Sequence, residues 1–222
     1  MQVTRVVCFD LGGVLVRICR TFIEACERAG LPVRDRTWLE TDGSIGLRRR
    51  VMLDYQEGLL STDEYFLQMS RALGHRYSGA EVALLHDAWL IDEYAGALEL
   101  VTQLAAHETL TTACLSNTNE RHWQALQANR GQASAYPAVM ALERRFASHL
   151  LRANKPTPEI FLAFQQQMEV GAGEILFFDD SPDNVAAARS LGWRAQVIDP
   201  SGDTVADMRR HLVSEGVTLR ES

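Results

Sequence analysis

The stretch "RVVCFDLGGVLVR", residues 5–17, decides the fold. Four apolar residues, Val6 to Phe9, run into a single acid, Asp10, and then into Leu11 and two glycines. A short unbroken apolar run that ends at glycine has the pattern of a strand buried on both faces, as in a parallel sheet. An acid that closes such a strand stands where open α/β sheets bind their ligands.

Working outward, runs of the same kind occur at Leu110–Leu115, about Arg145–Leu150, Ile175–Phe178 and Arg194–Ile198, and the first run extends back to Val3. Helical patterns lie between most of them, so the spacing predicts a mostly parallel, Rossmann-like α/β sheet. Roughly a hundred residues separate the first two strands, against about a dozen that a crossover needs. From Cys19 to about Trp89 the chain reads as helices with turns at "RAGLPVRD", "TDGSIG", "EGLLSTDE" and "LGHRYSG". Ser61 with Glu64 forms a capping box ahead of Tyr65, Phe66 and Met69. The expected organisation is therefore an α/β core of residues 1–16 and 92–222, with a helical domain of residues 17–91 inserted after the first strand. Near the end, "DTVADMRRHLVSEG" spaces Val205, Met208 and Leu212 like a surface helix.

Composition narrows the function classes. The 222 residues are 46% hydrophobic and 23% charged, the balance of an ordinary globular protein. Twenty-nine acidic against 22 basic residues give a net charge of −7, with no basic run, so a nucleic-acid partner is not expected. No apolar run approaches the roughly 18 residues of a membrane span, and the N-terminus does not read as a signal peptide. A cytoplasmic protein, monomer or homodimer, is expected. Cys8, Cys19, Cys26 and Cys114 make no C-x-x-C pair and read as reduced thiols.

The strand ends gather the chemistry. Asp10 closes the first strand; Ser116, Asn117, Thr118 and Asn119 close the second; Lys155 precedes a helix opened by Thr157 and Pro158; Asp179 and Asp180 close the fourth, before Ser181 and Pro182. Each alone reads as a cap, a turn former or a solvated lysine. Together, acids at neighbouring strand ends repel unless a cation lies between them. Mg²⁺ resolves the conflict, since it takes a few carboxylates, waters and a phosphate oxygen. Asp10 and Asp180 suit it as ligands, with Lys155 and the Ser116 hydroxyl holding the rest of a substrate phosphate.

The segments "FDLGGVL", "LSNTN", "NKP" and "FFDDSPDN" resemble, in order, the four motifs of the haloacid dehalogenase-like hydrolase superfamily, in particular the branch of α-D-glucose-1-phosphate phosphatase and the epoxide hydrolase N-terminal phosphatase domain. The insert matches that superfamily's type-one helical cap. The resemblance implies a Mg²⁺-dependent phosphatase of small phosphorylated metabolites, sugar phosphates among them. Asp10 would be the nucleophile that becomes an aspartyl-phosphate. Asp10, the main-chain carbonyl of Gly12 and Asp180 would hold the metal, with Asp179 secondary and Asn184 steadying the loop. Ser116 and the Asn117 amide would bind the transferring phosphoryl group, and Lys155 would neutralise its charge.

The chain departs from the phosphatase pattern at Gly12, where these enzymes usually carry a second aspartate as general acid and base. Such help is worth about 10²- to 10⁴-fold in rate. Three readings stay open: a phosphatase whose leaving group needs little protonation, a catalytically weak phosphate-binding or regulatory protein, and a metal-free 2-haloacid dehalogenase. The Asp179–Asp180 pair counts against the last. Two other folds fit less well: there is no G-x-G-x-x-G after the first strand, and the order of lysine and acid pair is wrong for a phospho-acceptor domain. For substrate contacts, "TDGSIGLRRRV" is a candidate segment, with Arg48 the named arginine. Arg48, Arg49 and Arg50 fan apart by about 100° each on a helix, so they cannot all face the site. Trp89, His122 and Trp123 read as packing or surface residues.

Overall fold

β1 (Val6–Phe9) leads through a tight turn into β2 (Val16–Ile18) in the computed structural model, which describes residues 3–127 and 134–219. Helices α1 (Phe22–Ala29), α2 (Arg36–Leu39), α3 (Asp42–Gln56), α4 (Thr62–Ala72) and α5 (Gly79–Asp87) follow, and β3 (Leu90–Glu93) brings the chain back. Then come α6 (Ala97–Ala105), β4 (Thr111–Ser116), α7 (Glu120–Ala125), α8 (Pro137–Ala141), β5 (Arg144–Ala147) and α9 (Ser148–Leu151). The chain finishes with α10 (Pro158–Met168), β6 (Ile175–Asp179), α11 (Pro182–Ser190), β7 (Arg194–Val197) and α12 (Thr204–Ser214).

The main sheet has five parallel strands in the order β5-β4-β1-β6-β7. β1 is central and buried on both faces, which is why its sequence is an unbroken apolar run. Val7 and Phe9 join one core with Leu100, Val139, Met208 and Leu212, whereas Val6 and Cys8 join the other with Phe161, Phe177 and Trp193. Strand order reverses at β1, with β4 on one side and β6 on the other, so the carboxyl ends of these three strands form the switch-point crevice.

A third core lies wholly between residues 19 and 85, where Tyr55, Tyr65, Leu73, Tyr77 and Leu85 pack together. The two chain crossings that lead to it, β2 and β3, pair as an antiparallel ribbon. Arg17 grips Asp92 across the ribbon through two charge-assisted hydrogen bonds of 2.5 and 2.6 Å. The expected boundaries at 16/17 and 91/92 fall within this ribbon, whose strands are too short to read from a sequence pattern.

Ser61 and Glu64 form the expected capping box, and Thr157–Pro158 and Ser181–Pro182 open α10 and α11. Two local expectations need correction. "TDGSIG" is the start of α3 and not a turn: the Thr41 side chain accepts from the Ser44 N–H, and the helix buries Tyr55 in the third core with Val51 and Met52 packed against it, which outweighs Gly43 and Gly46 at about 1 kcal/mol each. The third apolar run ends as a strand at Ala147, because Ser148 starts α9 and bonds to the main chain of Thr118 and Gln56. Cys8, Cys19, Cys26 and Cys114 are all buried free thiols. Among the described residues, no helix is long and apolar enough to cross a membrane.

Candidate active site

Sheet register places the acids side by side. Phe9 is level with Phe178, and the Asp10 N–H donates to the Phe178 carbonyl at 2.8 Å, so Asp10 and Asp179 leave adjacent strands at the same height. Lys155 arrives from the other side. Its main chain is held by the Asn117 side chain in both directions, with the Lys155 N–H donating to Oδ1 at 2.8 Å and Nδ2 donating to the Lys155 carbonyl at 2.9 Å. The Lys155 side chain is fully buried, and its Nζ lies 3.0 Å from Asp10 Oδ1 and 2.7 Å from Asp179 Oδ2. The solvated-lysine reading therefore fails, and the Asn117 side chain serves to place Lys155.

The carboxylates differ in what they have left to offer. Asp179 is fully buried and accepts from Lys155, from Asn184 Nδ2 at both oxygens (2.9 and 3.1 Å), and from the Ser181 N–H. Asn184 thus steadies Asp179. Asp10 Oδ1 accepts from the Leu11 N–H at 2.7 Å and faces Lys155, while among the described residues its Oδ2 takes no hydrogen bond. Asp180 is partly exposed, and its Oδ2 accepts from Arg20 Nη2 at 2.9 Å. Arg20 escaped the sequence reading because only the ribbon carries it back to the sheet edge.

Two cations, Lys155 and Arg20, for three acids leave the cluster short of positive charge. Burial pushes the Asp10 carboxyl up, Lys155 draws it down, and Asp179 and Asp180 push it up again, to about 7. Burial works against the Lys155 charge, but Asp10 and Asp179 together outweigh it and hold Lys155 protonated above the usual lysine range. One oxygen from each of Asp10, Asp179 and Asp180 lies within 4.8 Å of the others. Hard oxygen donors at that spacing fit a hard divalent cation and not a thiophilic one. Gly13 makes room for this group: its φ is +79°, and a Cβ there would lie 2.4 Å from Asp180 Oδ2.

Gly12 stands beside a cavity of about 250 Å³ that runs from Ser116 and Asn117 into the helices of residues 22–89. A Cβ at Gly12 would lie 2.9 Å from Ile18 Cδ1, so hydrocarbon occupies the place where a second acid would project. Arg48 also lines the cavity. Its guanidinium donates to the carbonyls of Leu39 and Ser44 and lies over the Phe22 ring, while Arg49 and Arg50 are exposed. At the junction of α5 and α7, the rings of His86 and His122 stack at 3.8 Å and 9°. Asn119 bonds to both, and His122 Nε2 donates to the His86 carbonyl at 2.8 Å. Of the packing and surface alternatives for His122, the structure shows packing: the ring is buried, and its pairing across 36 residues leaves no local signal.

The family model for haloacid dehalogenase-like hydrolases matches residues 4–192. The chain belongs to the haloacid dehalogenase-like hydrolase family. It is 28% identical over 206 residues to D-ribitol-5-phosphate phosphatase of Bacteroides thetaiotaomicron, covering 92% of this chain and 94% of that protein. Two solved structures superpose with a TM-score of 0.73: the magnesium complex of a family enzyme from B. thetaiotaomicron (25% identity, 94% of this chain and 100% of that one) and a predicted HAD-like hydrolase of Porphyromonas gingivalis (26%, 94% and 98%).

Proposed function

We propose that this family member is a Mg²⁺-dependent phosphatase of small phosphorylated metabolites, acting through an aspartyl-phosphate on Asp10. The observation that carries the reading is the meeting of Asp10, Asp179, Asp180 and the buried Lys155 at the carboxyl ends of β1 and β6, beside Ser116 at the end of β4. The relatives add support, one being a sugar-alcohol phosphate phosphatase and another a magnesium complex.

Asp10, Asp180 and the Gly12 carbonyl would hold Mg²⁺, with Asp179 secondary. Bound there, the ion supplies Lewis-acid stabilisation of the phosphoryl oxygens. Leu11 and Lys155 fix Asp10 Oδ1, which orients the carboxylate for attack. Its oxygen forms a bond to phosphorus as the ester P–O bond breaks, and water then attacks phosphorus to release phosphate and free Asp10. Lys155, the Ser116 hydroxyl and the Asn117 main-chain N–H would stabilise the transferring group. The helical segment of residues 17–91 would act as a cap over it. We place the protein in the cytosol on the strength of its four buried free thiols.

The dehalogenase reading gains nothing from this geometry, because a haloacid carboxylate would meet three acids, with Lys155 already engaged by Asp10 and Asp179 and Arg20 by Asp180. The weak-catalyst reading draws on Ile18 beside Gly12, which bears on rate and not on the type of reaction. Phosphate release from p-nitrophenyl phosphate tests the proposal. Turnover should require Mg²⁺ and disappear in Asp10→Asn with the fold intact; full activity in that variant would refute the nucleophile assignment.

A further inference from the structure

We infer that the leaving group this enzyme accepts is an apolar aromatic alcohol, so that its substrates are aryl phosphate monoesters. The inference rests on the phosphatase reading and deepens it. Its basis is the cavity of about 250 Å³ that Gly12, Ser116 and Asn117 share with the cap helices. These residues put one end of the cavity beside the proposed phosphoryl position, and the part of a substrate beyond phosphorus must occupy the rest.

The far wall is hydrocarbon and ring: Phe22, Met52, Met69, Leu73, Leu85 and Trp89. The polar groups in the lining are largely taken by the protein itself. Arg48 donates to the carbonyls of Leu39 and Ser44, and Gln56 Nε2 lies 3.5 Å from the Asn117 carbonyl. Asn119 bonds to His86 and His122, and both ring nitrogens of His122 are engaged. Tyr65 Oη, Gln56 Oε1, Thr118 Oγ1 and Arg48 Nη1 make no hydrogen bond among the described residues, which leaves a few separate points for polar substituents. A polyol chain would leave several hydroxyls against methyl and thioether groups without partners, and unpaired polar groups cost affinity. Size is also suitable, since an engineered apolar cavity of roughly 150 Å³ binds benzene.

The second observation concerns chemistry and not the size of the space. Ile18 Cδ1 stands where an acid at position 12 would project, so no carboxylic acid is held beside the departing oxygen. A phenol leaves as a stabilised anion and has little need of a proton, whereas an aliphatic alcohol needs one. Both the space and the missing acid therefore select the same class.

The test compares the Mg²⁺-loaded enzyme on a series of substituted phenyl phosphates, on ribitol 5-phosphate and glycerol 3-phosphate, and on acetyl phosphate as a reference with almost no leaving-group body. The expected result is kcat/KM for phenyl phosphates about 10²-fold or more above the polyol phosphates. The rate should fall along the series as the phenol becomes less acidic. A second readout is Met69→Gln, which should lower the phenyl-to-acetyl-phosphate ratio about tenfold by setting an amide against the ring. Polyol phosphates turned over as well as phenyl phosphates would overturn this inference and leave the phosphatase reading intact, as would an unchanged ratio in a folded Met69→Gln. No turnover of any of these, acetyl phosphate included, overturns both.

Discussion

Restoring an acid at position 12 is the most informative perturbation. An ideal Cβ on Gly12 lies 2.9 Å from Ile18 Cδ1 but 3.6 and 3.7 Å from Ile18 Cγ2 and Cγ1, so a single terminal methyl is in the way. Gly12→Asp alone should cost about 1–2 kcal/mol by crowding. Ile18→Val deletes the offending methyl and by itself costs about 0.5–1.5 kcal/mol. In the double variant the crowding is gone, so the two changes should couple favourably by about 1 kcal/mol in urea unfolding with Mg²⁺ present. The Mg²⁺ matters, because a fourth acid beside Asp10, Asp179 and Asp180 repels them otherwise. In steady-state assays the double variant should raise kcat on alkyl phosphates by about 10²-fold or more and barely alter p-nitrophenyl phosphate. Its alkyl-phosphate rate should also acquire a falling limb at high pH as the new acid deprotonates. Equal gains on both substrates, or no coupling in stability, would refute the idea that Ile18 fills an acid's place.

Two other outcomes follow from the buried charges. Lys155→Met removes the ammonium shared by Asp10 and Asp179, so metal-free protein should lose about 3–5 kcal/mol in denaturant titration, with Mg²⁺ restoring part of the stability and little of the activity. Burial pushes His122 down to about 4 from 6.5, so between these values the unfolded chain binds a proton that the folded chain refuses. The His122 contribution to stability should therefore be fully present above pH 6.5 and fall toward pH 4, by about 3 kcal/mol at some 1.4 kcal/mol per pH unit, while Asp10, pushed up to about 7, contributes in the opposite sense in metal-free protein. His86, pushed down chiefly by its own burial and also by His122, adds in the same direction as His122, and wild-type protein should lose stability relative to His122→Gln as pH falls from 6.5 toward 4 in denaturant titration.

The parts of this molecule that were legible in its sequence are those fixed by short-range pattern. Apolar runs closed by a polar residue mark β1, β4 and β6, and the closing residues Asp10, Ser116, Asp179 and Asp180 meet at the candidate site, because a parallel sheet brings strand ends to one edge whatever the loops do. What stayed hidden depends on partners distant in the chain. Arg20 meets Asp180 across 160 residues, and His86 meets Asn119 across 33. The β2–β3 ribbon is short, and its pairing is visible only once Arg17 and Asp92 face one another. "TDGSIG" misled because glycine's local penalty is plain in a sequence, while the burial of Tyr55 further along the same helix, which offsets it, is not. Gly12 carried its meaning only in part: the missing acid was evident, but not the isoleucine standing in its place.

The measurement that bears most directly on the central claim is mass spectrometry of the Mg²⁺-loaded enzyme quenched with acid during turnover of a phosphate monoester. The expected result is one phosphoryl group on the peptide that contains Asp10, assigned to Asp10 by fragmentation and absent without substrate. Sustained turnover with Asp10 unmodified, or with the phosphoryl group on another residue, would contradict it.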